Sequence, residues 1–222
     1  MTRSSSTPAP RRVGRPPGPT QHGAASRERI LDAAAAVFAR LGYDKARMDD
    51  VVEASGMTKG SVYFHFTGKE SLAVAVLTEK HAHWLDQVRA RLAATPAGTE
   101  RLEALLPAMV GLHRDDPYAW AVARLTQNLS ELPATRALAA ELTRRWIDDV
   151  ADLVRDALPA DSDPTVDPSV DPVEVATLLV GAFDGLKATV QVLTDDPDTA
   201  ARQLESGGAL LMRMLRAVIA PS

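Results

Sequence analysis

Apolar residues recur three and four positions apart along most of the chain, and the pattern halts at short clusters of Gly, Pro, Asp and Thr. This spacing predicts helices and positions their ends. Ile30, Leu31, Ala34, Val37, Phe38 and Leu41 form one stripe on a helix that Ser26 opens and Gly42 ends, with Tyr43 packing beneath the turn. Asp49 to Ser55 reads as a short helix closed by Gly56, a residue that takes left-handed backbone at little cost. Thr58 is placed to cap a second short helix through Phe66, with Val62 and Phe66 turned inward. Thr67-Gly68-Lys69-Glu70 has the spacing of a capping box and starts a long helix to about Arg91, whose inner face is Leu72, Val76, Trp84, Leu85 and Val88.

After a break at 95–98, helices are expected over about 99–114, 118–131 and 134–158, separated by Asp115-Asp116-Pro117 and Pro133. Residues 159–172 carry Asp-Pro three times, which bars a helix and predicts an exposed acidic loop. Two last helices, about 173–194 and 198–219, are apolar on more than one face. The first carries Val175, Leu178, Leu179, Phe183, Leu186, Val190 and Leu193. The second carries Leu204, Leu210, Leu211, Met214, Leu215 and Val218 around Gly207-Gly208. A helix on a globular surface needs one stripe, so the excess points to a partner. The glycine pair marks a close crossing. Strand alternation and long-period repeats are not evident, and the fold class is all-α, with about nine helices.

Short helix, glycine turn, short helix is the pattern of a helix-turn-helix. Its second helix exposes Lys59, Ser61, Tyr63 and His65, donors and rings that suit a DNA groove, while Gly60 lets the backbone approach closely. Charge agrees with this placement. The net charge of the 222 residues is -4, yet residues 1–70 hold 11 Lys/Arg against 7 Asp/Glu and the remainder 14 against 22. A basic front on an acidic body fits a nucleic-acid end and a regulatory end. Residues 1–25 are rich in Ser, Pro, Gly and Ala. They bear Arg3, Arg11, Arg12 and Arg15 without an acid, which predicts a disordered basic arm able to reach a minor groove.

The absence of cysteine excludes disulfides, thiol catalysis and cysteine-ligated zinc. No uncharged apolar run reaches ~18 residues and no apolar signal core opens the chain, so a cytoplasmic protein without a membrane span is expected. His81 and His83 are two apart on a helix and do not face each other, so no metal site is expected there. Gly-rich phosphate loops, Ser-His-Asp arrangements and paired-carboxylate motifs are missing, which argues against an enzyme. No cofactor is implied.

Gly56 to Lys69, with Tyr63-x-His65-Phe66-x-x-Lys69 at its core, resembles the DNA-binding domain of the TetR family of bacterial repressors over about residues 26–72. The resemblance implies a basic arm (1–25), a helix-turn-helix domain (26–72) and a helical ligand-binding and dimerisation domain (73–222). It implies a repressor that binds an inverted-repeat operator in double-stranded DNA as a homodimer, joined through its last two helices, and that a small molecule releases. It assigns DNA contacts to Thr58, Lys59, Gly60, Ser61, Tyr63, Phe64 and His65 and a phosphate contact to Lys69. Arg47 stands where the family usually has threonine, and could bring a cation to a phosphate.

For the effector pocket the resemblance and the residue types point to Trp84, Met109, His113, Trp120, Gln127, Trp146, Phe183 and Lys187, large apolar surfaces with a few polar groups. Asn128 belongs to the same set. The Thr-Lys-Gly-x-x-Tyr-Phe-His-Phe wording and Trp146 are also similar to the γ-butyrolactone receptors of actinomycetes. The competing reading is an architectural DNA-binding protein without ligand control, against which the long acidic body argues.

Overall fold

The computed structural model describes residues 21–115, 118–133, 135–158, 170–194 and 196–219. Within them lie nine α-helices and no strand. They are α1 (Gln21–Lys45), α2 (Met48–Ser55), α3 (Lys59–His65), α4 (Lys69–Ala93), α5 (Thr99–Asp115), α6 (Ala119–Glu131), α7 (Arg136–Ala157), α8 (Pro172–Leu193) and α9 (Pro197–Ile219). Arg3, Arg11, Arg12 and Arg15 of the basic arm, and the Asp-Pro pairs at 163–164 and 167–168, lie outside the described residues. The third pair is described: the Asp171 carboxylate caps α8 by accepting from the Val173 amide at 2.8 Å, with Pro172 in the first turn.

Two ends differ from the sequence reading. Helix α1 starts at Gln21, so residues 21–25 are helical rather than part of the arm, and Ser26 sits inside the helix. The last proline before it is Pro19, and Ala24 and Ala25 are strong helix formers. Helix α4 is capped by Gly68, not Thr67. The Gly68 amide donates to Ser71 Oγ at 3.2 Å and Glu70 takes no part. Gly42, with φ 74°, interrupts α1 where the apolar stripe stops.

Two apolar cores divide the molecule. One gathers Ile30, Phe38, Val51, Val62, Phe66, Leu72 and Leu77 from α1–α4. The other gathers Trp84, Leu105, Met109, Trp146, Phe183 and Leu204 from α4, α5, α7, α8 and α9. Each fully buried aliphatic or aromatic side chain contributes about 1.5–3 kcal/mol. Helix α6 belongs to the first core through Ala121, Leu125 and Leu129, although it begins 54 residues after α3 ends (119 against 65). It therefore packs along α1 and bridges the two halves. On the far side Gly207 and Gly208 serve a close crossing within the chain. A Cβ at 207 would come within 2.6 Å of Leu186 Cδ2 on α8, and one at 208 within 3.7 Å of Leu106 and Val110 on α5. Leu178, Val192 and Leu193 of α8 and Leu210 and Met214 of α9 remain exposed.

Candidate functional site

The helix-turn-helix is built from α2, the turn at Gly56 and α3. Gly56 takes φ 63°, ψ 19° and returns its amide to the Glu53 carbonyl. Arg29 Nη2 donates to the Ser55 carbonyl at 3.2 Å and so closes the end of α2 from α1. Thr58 Oγ1 accepts the Ser61 amide at 3.1 Å, the N-cap that the spacing predicts. Val62 and Phe66 fasten α3 to the core at 0% and 4% exposure. The remaining face of α3 is left to solvent: Thr58, Lys59 and Gly60 are exposed, Tyr63 is 42% exposed and Phe64 84%. Phe64 is thus no core residue; its ring stands edge-on to His65 at 5.2 Å. Glycine at 60 answers no need of the protein's own fold, since a Cβ there would meet only Thr58 Oγ1, at 4.0 Å.

The two lysines assigned to DNA are both engaged inside the molecule. Lys59 Nζ pairs with Asp49 Oδ1 of α2 at 2.8 Å and lies 5.9 Å from the Tyr63 ring centroid. The hydrogen bond that Lys59 donates to the Asp49 carboxylate, with that group's charge, raises the Lys59 ammonium above the ordinary lysine range. Lys69 Nζ donates to the carbonyls of Tyr43 and Asp44 at 2.9 and 3.3 Å and sits over the Tyr43 ring at 4.4 Å. It therefore closes the end of α1, with one of its three donors left over. Arg47 is the N-cap residue of α2; its amide donates to Asp50 Oδ2 at 2.8 Å and its side chain is exposed. A groove of about 720 Å³ runs from Phe64 and His65 past Gly23, Arg27 and His83. Arg27 holds Glu79 there through two bonds of 2.8 and 2.6 Å.

In the helical body a cavity of about 390 Å³ opens among α4 to α8. Seven of the eight expected pocket residues line it: Trp84, Met109, His113, Trp120, Gln127, Trp146 and Lys187. Phe183 does not. Its fully buried ring packs in the core, edge-on to His113 at 6.0 Å. Asn128 also lies outside the lining. Residues that sequence reasoning missed include His81, Arg124, Thr126, Thr143, Asp184 and Gln191. Most are one helical turn from a residue already named: 81 from 84, 124 from 120 and 127, 143 from 146, 184 and 191 from 187. That spacing was a usable signal.

Trp84 and Trp146 meet edge-to-face at 4.9 Å, and His113 and Trp120 at 5.0 Å. His113 Nδ1 is 2.9 Å from the Met109 carbonyl. Burial, then the Lys187 charge, pushes its pKa down to about 3, against which the Met109 bond acts weakly. Lys187 Nζ pairs with Asp184 at 2.6 Å. Arg124 reaches out of the cavity: its Nη1 donates to the Ala39 carbonyl of α1 at 2.9 Å. One helix, α6, thus presents Trp120, Arg124 and Gln127 to the cavity and its opposite face to the helix-turn-helix core.

Comparison with known proteins fits this geometry. Residues 30–76 match the family model described as bacterial regulatory proteins, TetR family. The A-factor receptor protein of Streptomyces griseus is 43% identical over 51 residues, 23% of this chain and 18% of that one. The chain spans 18% to 61% of the length of the first curated relatives it matches. Among solved structures, full-length native TylP, a TetR regulator from Streptomyces fradiae, is 31% identical, covers 90% of each chain and superposes with a TM-score of 0.61. A structure described as the molecular basis for control of antibiotic production by bacterial hormones is also 31% identical, over 85% of this chain and 96% of that one, with a TM-score of 0.66.

Proposed function

This chain belongs to the TetR family of bacterial regulatory proteins, and from that premise we propose that it is a repressor that binds an inverted-repeat operator as a homodimer and is released by a small molecule. Lys59, Ser61 and the close approach at Gly60 read base edges in the major groove. Thr58, Tyr63, Phe64 and His65 contact bases or backbone beside them, and Arg47 and the spare donor of Lys69 meet phosphates. One helix of seven residues covers only a few base pairs, so two copies are needed to read two half-sites. The exposed apolar residues of α8 and α9 support a partner subunit on that face.

The observation that carries the ligand half of this reading is α6, which lines the cavity and is bonded through Arg124 to α1. A molecule that changes the seating of α6 shifts the helix-turn-helix, provided it binds one arrangement better than the other. One similar protein is an A-factor receptor and one similar structure concerns control of antibiotic production by bacterial hormones, which favours a diffusible signalling molecule as effector. Such a regulator acts in the cytoplasm, on the nucleoid when DNA-bound; among the described residues no helix is long and apolar enough to cross a membrane.

Footprinting on the intergenic DNA beside the gene tests the proposal. One short palindrome should be protected. Lys59→Ala should relax preference at one position, and Tyr63→Ala should weaken all sites alike. Broad protection without a symmetric site would refute it.

A further inference from the structure

Two side-chain atoms of the body are buried without a hydrogen-bond partner among the described protein atoms, Trp84 Nε1 and His113 Nε2. Both belong to rings that line the same cavity, and both residues are only 6% exposed. A buried polar group left unpaired costs about 1–3 kcal/mol, so two at one cavity mark a place where a guest supplies the partners. Their polarity is determined. Indole N–H can only donate. His113 Nδ1 faces a carbonyl, which can only accept, so the ring proton sits on Nδ1 and Nε2 carries a bare lone pair in the neutral ring. Burial and the Lys187 ammonium keep that ring neutral.

Of the charged groups at the cavity, Lys187 is paired with Asp184, and Arg124 turns outward to give one of its five donors to the Ala39 carbonyl. With two cations at its wall against one carboxylate, the cavity rejects a cationic guest. A carboxylate guest would bring its oxygens to the lone pair of His113. The rest of the wall is aromatic and aliphatic.

Resting on the ligand reading above, we propose that the cavity takes an uncharged amphipathic molecule that presents a hydroxyl hydrogen to His113 Nε2 and an oxygen acceptor to Trp84 Nε1–H. Trp84 and His113 are then the residues that set effector polarity, with the aromatic walls supplying most of the affinity.

The test uses the full chain without DNA and reads tryptophan fluorescence and calorimetric heat with four probes of similar bulk: 1-octanol, its isomer heptyl methyl ether, octanoate and octylammonium. The alcohol should bind roughly 10-fold more tightly than the ether, which lacks the donor. His113→Phe should abolish that advantage, and Trp84→Phe should weaken alcohol and ether alike while keeping their order. The ion probes should bind least. An alcohol no better than the ether in the wild-type chain overturns the proposal, as does tightest binding of octanoate or no binding of any probe. An advantage that survives in His113→Phe does the same. Because DNA is absent, these results are independent of the footprint. A regulator with a different effector would fail here and still protect its palindrome.

Discussion

Acid should unfold this protein partly through one imidazole. His113 has a pKa of about 3 in the fold against 6.5 when free, with desolvation the first cause and Lys187 the second. Its folded value lies below its unfolded one, so the unfolded chain binds more protons between the two. The resulting stability is present above pH 6.5 and drains away as pH falls toward 3. At pH 4.5 the free imidazole has passed two units below its midpoint and the buried one has not begun to protonate. At 1.36 kcal/mol per unit this amounts to about 3 kcal/mol lost between pH 7.5 and 4.5. His81, lowered by burial, changes stability in the same direction. So do the exposed carboxylates Asp115 and Asp196, both lowered by hydrogen bonds. The assay is therefore a double difference: urea unfolding of wild type and His113→Phe at both pH values and equal protein concentration. The wild-type midpoint should fall by roughly 1 M more than that of the variant. Equal losses in the two proteins would refute the reasoning, whatever the variant's stability at neutral pH.

Three further outcomes follow from the geometry. Asp49→Asn frees Lys59 and removes an acid beside the duplex, so affinity for DNA of any sequence should rise roughly 3- to 10-fold at low salt; fluorescence anisotropy checks this, and an unchanged affinity speaks against the Lys59 assignment. Lys69→Met strips two carbonyl bonds and a ring contact from the end of α1. It should cost about 1–2 kcal/mol and lower Tm by roughly 3–6 °C, a loss that calorimetry detects with no DNA present. Leu193→Glu alters a residue 68% exposed in the single chain. If α8 and α9 form the subunit interface, light scattering should show a monomer with an unchanged helical circular dichroism spectrum, and operator binding should be lost.

The helices were legible because their breakers are local. Gly42, Gly56 and Gly98 take positive φ, and Thr58 caps α3 from three residues away. The cap of α4 was misplaced by one residue because Thr67, Gly68 and Ser71 offer competing hydroxyl and amide partners in one turn. Engagement of the DNA-facing lysines was not legible. Lys59 meets an acid ten residues away on another helix, and Lys69 meets carbonyls 25 and 26 residues back, pairings that only the fold creates. Seven residues expected around the cavity do line it, although large rings in an α-helical body serve as core at least as often as wall, and the resemblance rather than the residue types separated the two. Phe183 was misassigned because a core aromatic and a wall aromatic read alike in one dimension.

Arg124 spans two compartments that are 85 residues apart in the chain. Its fork has five hydrogens to give, and the first helix already holds one of them. On the effector reading proposed above, a guest oxygen that took another of those hydrogens would pull on the bond to Ala39, and the cavity and the first helix would answer to one side chain. Coupling of that kind would need no relay of intermediaries, because one side chain would be both doorbell and latch.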